Sequence, residues 1–116
     1  MDTLRISISE IHPGDLPKKS SWERYRAYPN ERFLQEYAYT PFGICLLQGV
    51  GLLLMDGNHR VARLYEAGVE EILYFQRSLT HKDEGFWSSR IDQLHKKGIN
   101  NFGDFLKQCQ SGRFYR

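Results

Sequence analysis

Apolar and polar positions alternate through Leu4-Arg5-Ile6-Ser7-Ile8-Ser9, as they do in a half-buried strand. His12-Pro13-Gly14-Asp15 breaks the alternation, and Pro17 prolongs the loop. Ser20 or Ser21 can cap a helix running through Trp22, Tyr25 and Arg26. Pro29 interrupts it. Asn30 can cap a second helix from about Glu31 to Tyr37, with Phe33, Leu34 and Tyr37 on one face. Tyr39-Thr40-Pro41-Phe42-Gly43 is a connector. The runs Ile44-Cys45-Leu46-Leu47 and Leu52-Leu53-Leu54-Met55 flank Gln48-Gly49-Val50-Gly51 and predict a β-hairpin. A helix from about Asn58 to Ala67 puts Val61, Leu64 and Tyr65 on one face and points Arg60 and Arg63 elsewhere. Gly68 suits the left-handed position past its end.

Val69 to Phe75 reads as the next strand, and strand–helix–strand order favours a right-handed crossover. From Asp83 the period is helical again, with Phe86, Trp87, Ile91 and Leu94 in one stripe and a basic end at Lys96-Lys97-Gly98. Asn100 or Asn101 can cap a last helix carrying Phe102, Phe105, Leu106 and Cys109. Ser111 to Arg116 reads as a frayed tail. With no repeat, low-complexity tract or linker among these elements, the pattern predicts one domain over residues 1–116.

Composition narrows the classes. A chain of 116 residues can bury a modest core without staples. No apolar run reaches the roughly 20 residues of a membrane span. Met1-Asp2-Thr3-Leu4-Arg5 lacks the plan of a secretory signal. Cys45 and Cys109 are expected as thiols in a reducing compartment, and no Cys/His spacing resembles a zinc site. A cytoplasmic location with no membrane partner follows as the expectation. The formal charge is +2 and mixed along the chain. Lys18-Lys19, Lys96-Lys97 and the Arg113/Arg116 tail are small clusters, short of the basic stripe that nonspecific nucleic-acid binding uses.

Chemistry concentrates at Asp56-Gly57-Asn58-His59-Arg60. A buried strand, a sharp glycine turn and a helix N-terminus meet there. Free main-chain N–H groups and the helix dipole favour an anion. His59 and Arg60 add donors suited to phosphate. Asp56 adds a carboxylate for a metal ion or a proton. An Asx turn or cap at Asp56, capping by Asn58, packing by His59 and a salt bridge from Arg60 to Glu31 or Glu66 are the plainer roles. Asp15 reads first as a turn aspartate. Lys18 and Lys19 could reach a phosphate from the same loop. Trp22, Tyr25, Tyr37 and Tyr39 read as core or groove-lining.

Leu53-Leu54-Met55-Asp56-Gly57-Asn58-His59-Arg60-Val61-Ala62, with Glu66-Ala67-Gly68 closing the helix, resembles the ParB/sulfiredoxin superfamily. The segment of that superfamily is a strand, a Gly-x-His-Arg turn and a helix ending near Ala-Gly. Ile11-His12-Pro13 resembles its opening Ile-x-Pro turn, and the resemblance covers about residues 4–76. It implies the ParB/sulfiredoxin-like α+β fold, a small mixed sheet packed with helices, with a core at about 4–76 and a helical C-terminal extension at about 83–110 added to it. The superfamily includes CTP-using partition proteins, ATP-using sulfiredoxins and free-serine kinases, so the fold does not choose a reaction. Sulfiredoxins carry a nucleophilic cysteine where this chain has Asn58, which argues against that chemistry. The free-serine kinases carry Asp-Gly-His-His-Arg, one residue different from residues 56–60, and an acidic residue past an early proline, where Asp15 could stand.

The resemblance implies nucleotide-phosphate binding by Gly57, Asn58, His59 and Arg60. Asp56 would serve as magnesium ligand, and Asp56 or Asp15 as proton acceptor. The nucleotide would be ATP, ADP or CTP with Mg²⁺, and the activity a phosphotransferase or a nucleotide hydrolase. A non-catalytic module contacting DNA or protein is the alternative, with a ParB-like nuclease or toxin behind it. A homodimer stays open.

Overall fold

A computed structural model describes residues 4–115. The fold is α+β, a four-stranded mixed sheet with five α-helices. The strands are β1 (Leu4–Ser7), β2 (Phe42–Leu47), β3 (Gly51–Leu54) and β4 (Glu71–Gln76). The helices are α1 (Lys19–Arg26), α2 (Asn30–Tyr37), α3 (Asn58–Glu66), α4 (His81–Lys96) and α5 (Phe102–Gln110). The sheet order is β1-β4-β2-β3.

The hairpin forms as the two glycines require, with Leu47 opposite Gly51 and Ile44 opposite Leu54. Side chains alternate across a strand, so Ile44 and Leu54 bury one face while Cys45 and Leu53 bury the other. β4 runs antiparallel to β1 and parallel to β2. It is therefore antiparallel to β3, and β3-α3-β4 is not a parallel crossover unit. The handedness rule expected of that segment has no parallel pair to act on. The crossover joining parallel neighbours runs from β2 through β3 and α3 to β4.

Beyond β3 the sheet gains one more bridge. His12 pairs in parallel with Leu53; its N–H donates to Leu52 O and its carbonyl accepts from Leu54 N–H. The turn after β1 is thereby laced to the edge of β3, beside the start of α3.

Several local expectations shift. β1 ends at Ser7, and Ile8–Glu10 form one 3-10 turn that buries Ile8. Helix α1 starts at Lys19, so Ser20 and Ser21 lie inside it rather than capping it. Asn30 is the first residue of α2, not its cap, a position Pro29 takes, and its side chain accepts from Arg63. Helix α4 begins two residues before Asp83, capped by Thr80, whose side chain accepts from Asp83 N–H. Asn101 caps α5 through Asp104 N–H, one of the two asparagines expected to do so.

The last segment is tied down instead of frayed. Tyr115 N–H donates to Pro17 O, its hydroxyl meets Gln108 Oε1, and Lys97 Nζ lies 4.4 Å from its ring centre. Arg116 and residues 1–3 lie outside the described residues.

Helix α3 is central, packing on α1, α2 and α5. The C-terminal helices contribute Ile91, Leu94, Phe102, Phe105 and Cys109 to the same core as Ile8, Leu54 and Leu64. Cys45 and Cys109 are buried free thiols, and burial pushes the Cys109 thiol up to about 12. Among the described residues no helix is long and apolar enough to cross a membrane.

Candidate functional site

The hand-over from β3 to α3 is made by Gly57, which takes φ 85°. A side chain there would be strained in the left-handed region, and a Cβ would sit 2.9 Å from the Phe42 ring and 3.0 Å from Arg60 Nη2. Gly57 also leaves the nine-residue α3 with no side-chain cap. Its first-turn N–H groups and its dipole are therefore directed to whatever fills the adjoining space.

That space is a cleft of about 150 Å³ lined by Asp15, Ser21, Tyr25, Met55, Asp56, Gly57, Asn58, His59 and Arg60. All six residues singled out from the sequence line it. They differ in what their side chains are already doing.

Asp56 is exposed; Oδ1 accepts from Gly57 N–H at 2.9 Å, and Oδ2 stands 3.8 Å from Arg60 Nη2. The arginine's partner is thus Asp56 rather than Glu31 or Glu66. The Arg60 guanidinium also lies over the rings of Phe42 and Tyr37, with centroids 5.5 and 5.9 Å away. Those rings hold a cation at the cleft while the loose pair with Asp56 restrains it weakly.

Asn58 is buried, and its Oδ1 accepts from Gly14 N–H at 2.8 Å. It stitches the first residue of α3 to the turn after β1. His59 is buried as well, its ring 5.2 Å from Phe105, and its Nε2 accepts from Lys18 N–H at 2.9 Å. This requires a proton on Nδ1, so Nε2 is not a donor to the cleft. The bond fixes the N-cap residue of α1, and with it Ser21 and Tyr25. Lys19 pairs loosely with Glu23 at the surface.

Asp15 has a partner with no local sequence signal. Arg90 of α4 donates from Nη1 to Asp15 Oδ1 at 2.6 Å, and Leu16 N–H donates to the same oxygen. The two side chains are 75 positions apart, so only the packing of α4 against the turn brings them together. The ion pair offsets a carboxylate that would otherwise repel an anion in the cleft.

Arg63 was expected to point away from the core and is instead 1% exposed. Nε donates to Tyr25 O, Nη2 donates to Tyr28 O and Asn30 Oδ1, and Nη1 stands 3.5 Å from Glu66 Oε1. Glu66 also takes Arg26 at 3.2 Å. Burial lowers the Arg63 pKa, and Glu66 opposes that shift. The guanidinium replaces water for carbonyls in the α1–α2 connection, a task that Leu or Met could not perform. Of the four aromatics read as core or groove-lining, Trp22 is buried and Tyr25 lines the cleft. Tyr37 packs beside the core, and Tyr39 is exposed.

Among the described residues no cluster of three or more His, Cys, Asp or Glu could hold a metal by itself. The lone exposed carboxylate of Asp56 fits the Mg²⁺ habit of taking one protein carboxylate, waters and a ligand's phosphates.

No protein-family model matches the chain, and no curated protein matches its sequence. Solved structures share the fold. Protein Atu1540 from Agrobacterium tumefaciens is 22% identical with a TM-score of 0.56, covering 90% of this chain and 61% of its own. A conserved hypothetical protein from Pyrococcus furiosus is 18% identical with a TM-score of 0.53, covering 67% and 33%. A free serine kinase in complex with AMP is 19% identical with a TM-score of 0.55, covering 71% and 33%. The chain therefore spans from about a third to three fifths of the length of these proteins. The likeness establishes a related fold.

Proposed function

We propose that the corner at residues 56–60 binds the phosphates of a nucleotide. The observation that carries this reading is the uncapped α3 N-terminus opening on a cleft that also holds Arg60. Backbone donors, helix dipole and a guanidinium then converge on one small volume. The cleft, at about 150 Å³, is smaller than the roughly 300–1,000 Å³ of a drug-sized ligand site. It suits a phosphate or diphosphate, with the nucleoside lying outside toward α1 and α2. The AMP-bound kinase of related fold supports a nucleotide over an unrelated anion.

Each residue then has a task. Asn58 and His59 present main-chain N–H groups, Gly57 adds its own once Asp56 Oδ1 releases it, and Arg60 turns from Asp56 to the phosphate. The Asn58 and His59 side chains hold the turn after β1 and the start of α1 in place. Mg²⁺, when bound, would rest on Asp56 and offset phosphate charge. Asp15, neutralised by Arg90, borders the cleft without repelling the ligand.

The more specific reading is transfer of the terminal phosphoryl group to a hydroxyl or to water: its bond to the bridging oxygen breaks, the shortened nucleotide leaves, and Asp56 or Asp15 takes the acceptor's proton. Titrating ATP, ADP, CTP and GTP with Mg²⁺ by calorimetry tests binding. Arg60→Ala should weaken affinity at least tenfold, and an unchanged affinity removes the corner from the site. Nucleotide turnover with and without free serine, compared between wild type and Asp56→Asn, tests the chemistry.

A further inference from the structure

At the turn after β1, two histidines from distant elements face each other. His12 Nε2 and His95 Nε2 are 2.9 Å apart, with ring centroids 5.0 Å apart. His12 Nδ1 lies 2.6 Å from its acceptor, Pro13 O. A carbonyl can only accept, so the His12 proton is on Nδ1 and its Nε2 carries a lone pair. This is the outer hydrogen bond that metal-ligating histidines usually make, and it orients the ring before any ion arrives. His95 is exposed, so its proton can pass to Nδ1 through solvent and free its own Nε2.

Both rings stand on anchored backbone. His12 is laced to β3 by two main-chain hydrogen bonds, and His95 sits in the last turn of a sixteen-residue helix. The 2.9 Å separation is that of an N–H···N hydrogen bond, so an ion would take the place of the shared proton and each ring would swing to aim its lone pair at the ion. Imidazole nitrogen suits Ni²⁺ and Cu²⁺, which stand at the strong end of the divalent first-row series.

We propose that His12 and His95 form a two-imidazole site for a divalent ion of the Ni²⁺ or Cu²⁺ class, clasping α4 to the turn after β1. Water or an external ligand completes the coordination. The site is separate from the phosphate corner and does not depend on that reading. Its structural effect falls on the cleft, because the clasp holds the helix that carries Arg90 against the turn that carries Asp15.

The test uses the tag-free chain and Ni²⁺. Calorimetry should give one ion per chain, with a rise in thermal midpoint. His12→Ala and His95→Ala should each weaken binding at least tenfold, the scale on which even outer partners matter. His81→Ala, at an exposed histidine elsewhere, should leave it unchanged. If a variant fails to fold, wild-type NMR decides the matter. Paramagnetic broadening confined to the His12 and His95 ring signals supports the site. Broadening at His81 instead, affinity equal in all variants, or no binding at millimolar Ni²⁺ overturns it.

Discussion

Gly57 concentrates two demands on one residue. Its φ of 85° is a conformation that costs another residue about 1–2 kcal/mol. Its missing side chain also leaves room for the buried Phe42 ring. Gly57→Ala should therefore lower unfolding stability by about 2 kcal/mol or more. It should also weaken any phosphate ligand by displacing the α3 N-terminus. Urea unfolding and ligand titration read the two effects separately, and an unaltered midpoint would show that the turn relaxes freely. Arg63 carries the larger stake. Arg63→Met keeps the stem but takes the donor from Tyr28 O and Asn30 Oδ1 in a buried setting, and leaves Glu66 to Arg26 and Gln110. Two unpaired acceptors should cost about 2–5 kcal/mol. Denaturant titration giving a loss under about 1 kcal/mol would mean that water reaches these groups.

At the scale of elements, α3 works as a hinge-pin between three helices and a turn. Its N-terminus is held through Asn58 to the turn after β1 and through His59 to α1. Its far end is held through Glu66 to Arg26 and to Gln110 of α5. Helix α5 depends on its own cap, where Asn101 accepts from Asp104 N–H at 2.8 Å while the Asp104 carboxylate accepts from Asn100 N–H. The Asp104 bond thus holds the residue before the cap, and Asn101→Ala should cost about 1 kcal/mol. The drop should appear as a lower thermal midpoint. Because Phe105 packs on His59, it should be accompanied by a changed environment at the cleft, visible in the amide signals of residues 56–60. A midpoint shift with those signals unmoved would uncouple α5 from the site.

For the molecule as a whole, the C-terminal helices are structural partners of the segment that bears the family-like turn. They place Ile91, Leu94, Phe102 and Phe105 in the common core, and they deliver Arg90 to Asp15. A chain truncated to residues 1–78 should therefore lack cooperative unfolding, since it exposes the apolar face of α3 and the Phe105 side of His59. Near-UV circular dichroism with a denaturant titration checks this. A sharp sigmoidal transition in the truncated chain would show that residues 4–76 form a self-sufficient core.

Short-range physics was legible before any coordinates. Alternation marked the first strand and apolar runs the other three, glycine pairs marked the hairpin, and the stretch from Asp56 to Arg60 marked a strand-to-helix corner, because each depends on residues within one turn of each other. The pairing of β4 was not legible, since parallel and antiparallel neighbours satisfy the same apolar run. Nor was the interior position of Arg63. A charge reads as surface until several carbonyls from another element surround it. Arg90 meeting Asp15, and His95 meeting His12, belong to the same class. Each pair joins residues at least 75 positions apart, and sequence spacing carries no information about contacts that packing alone creates.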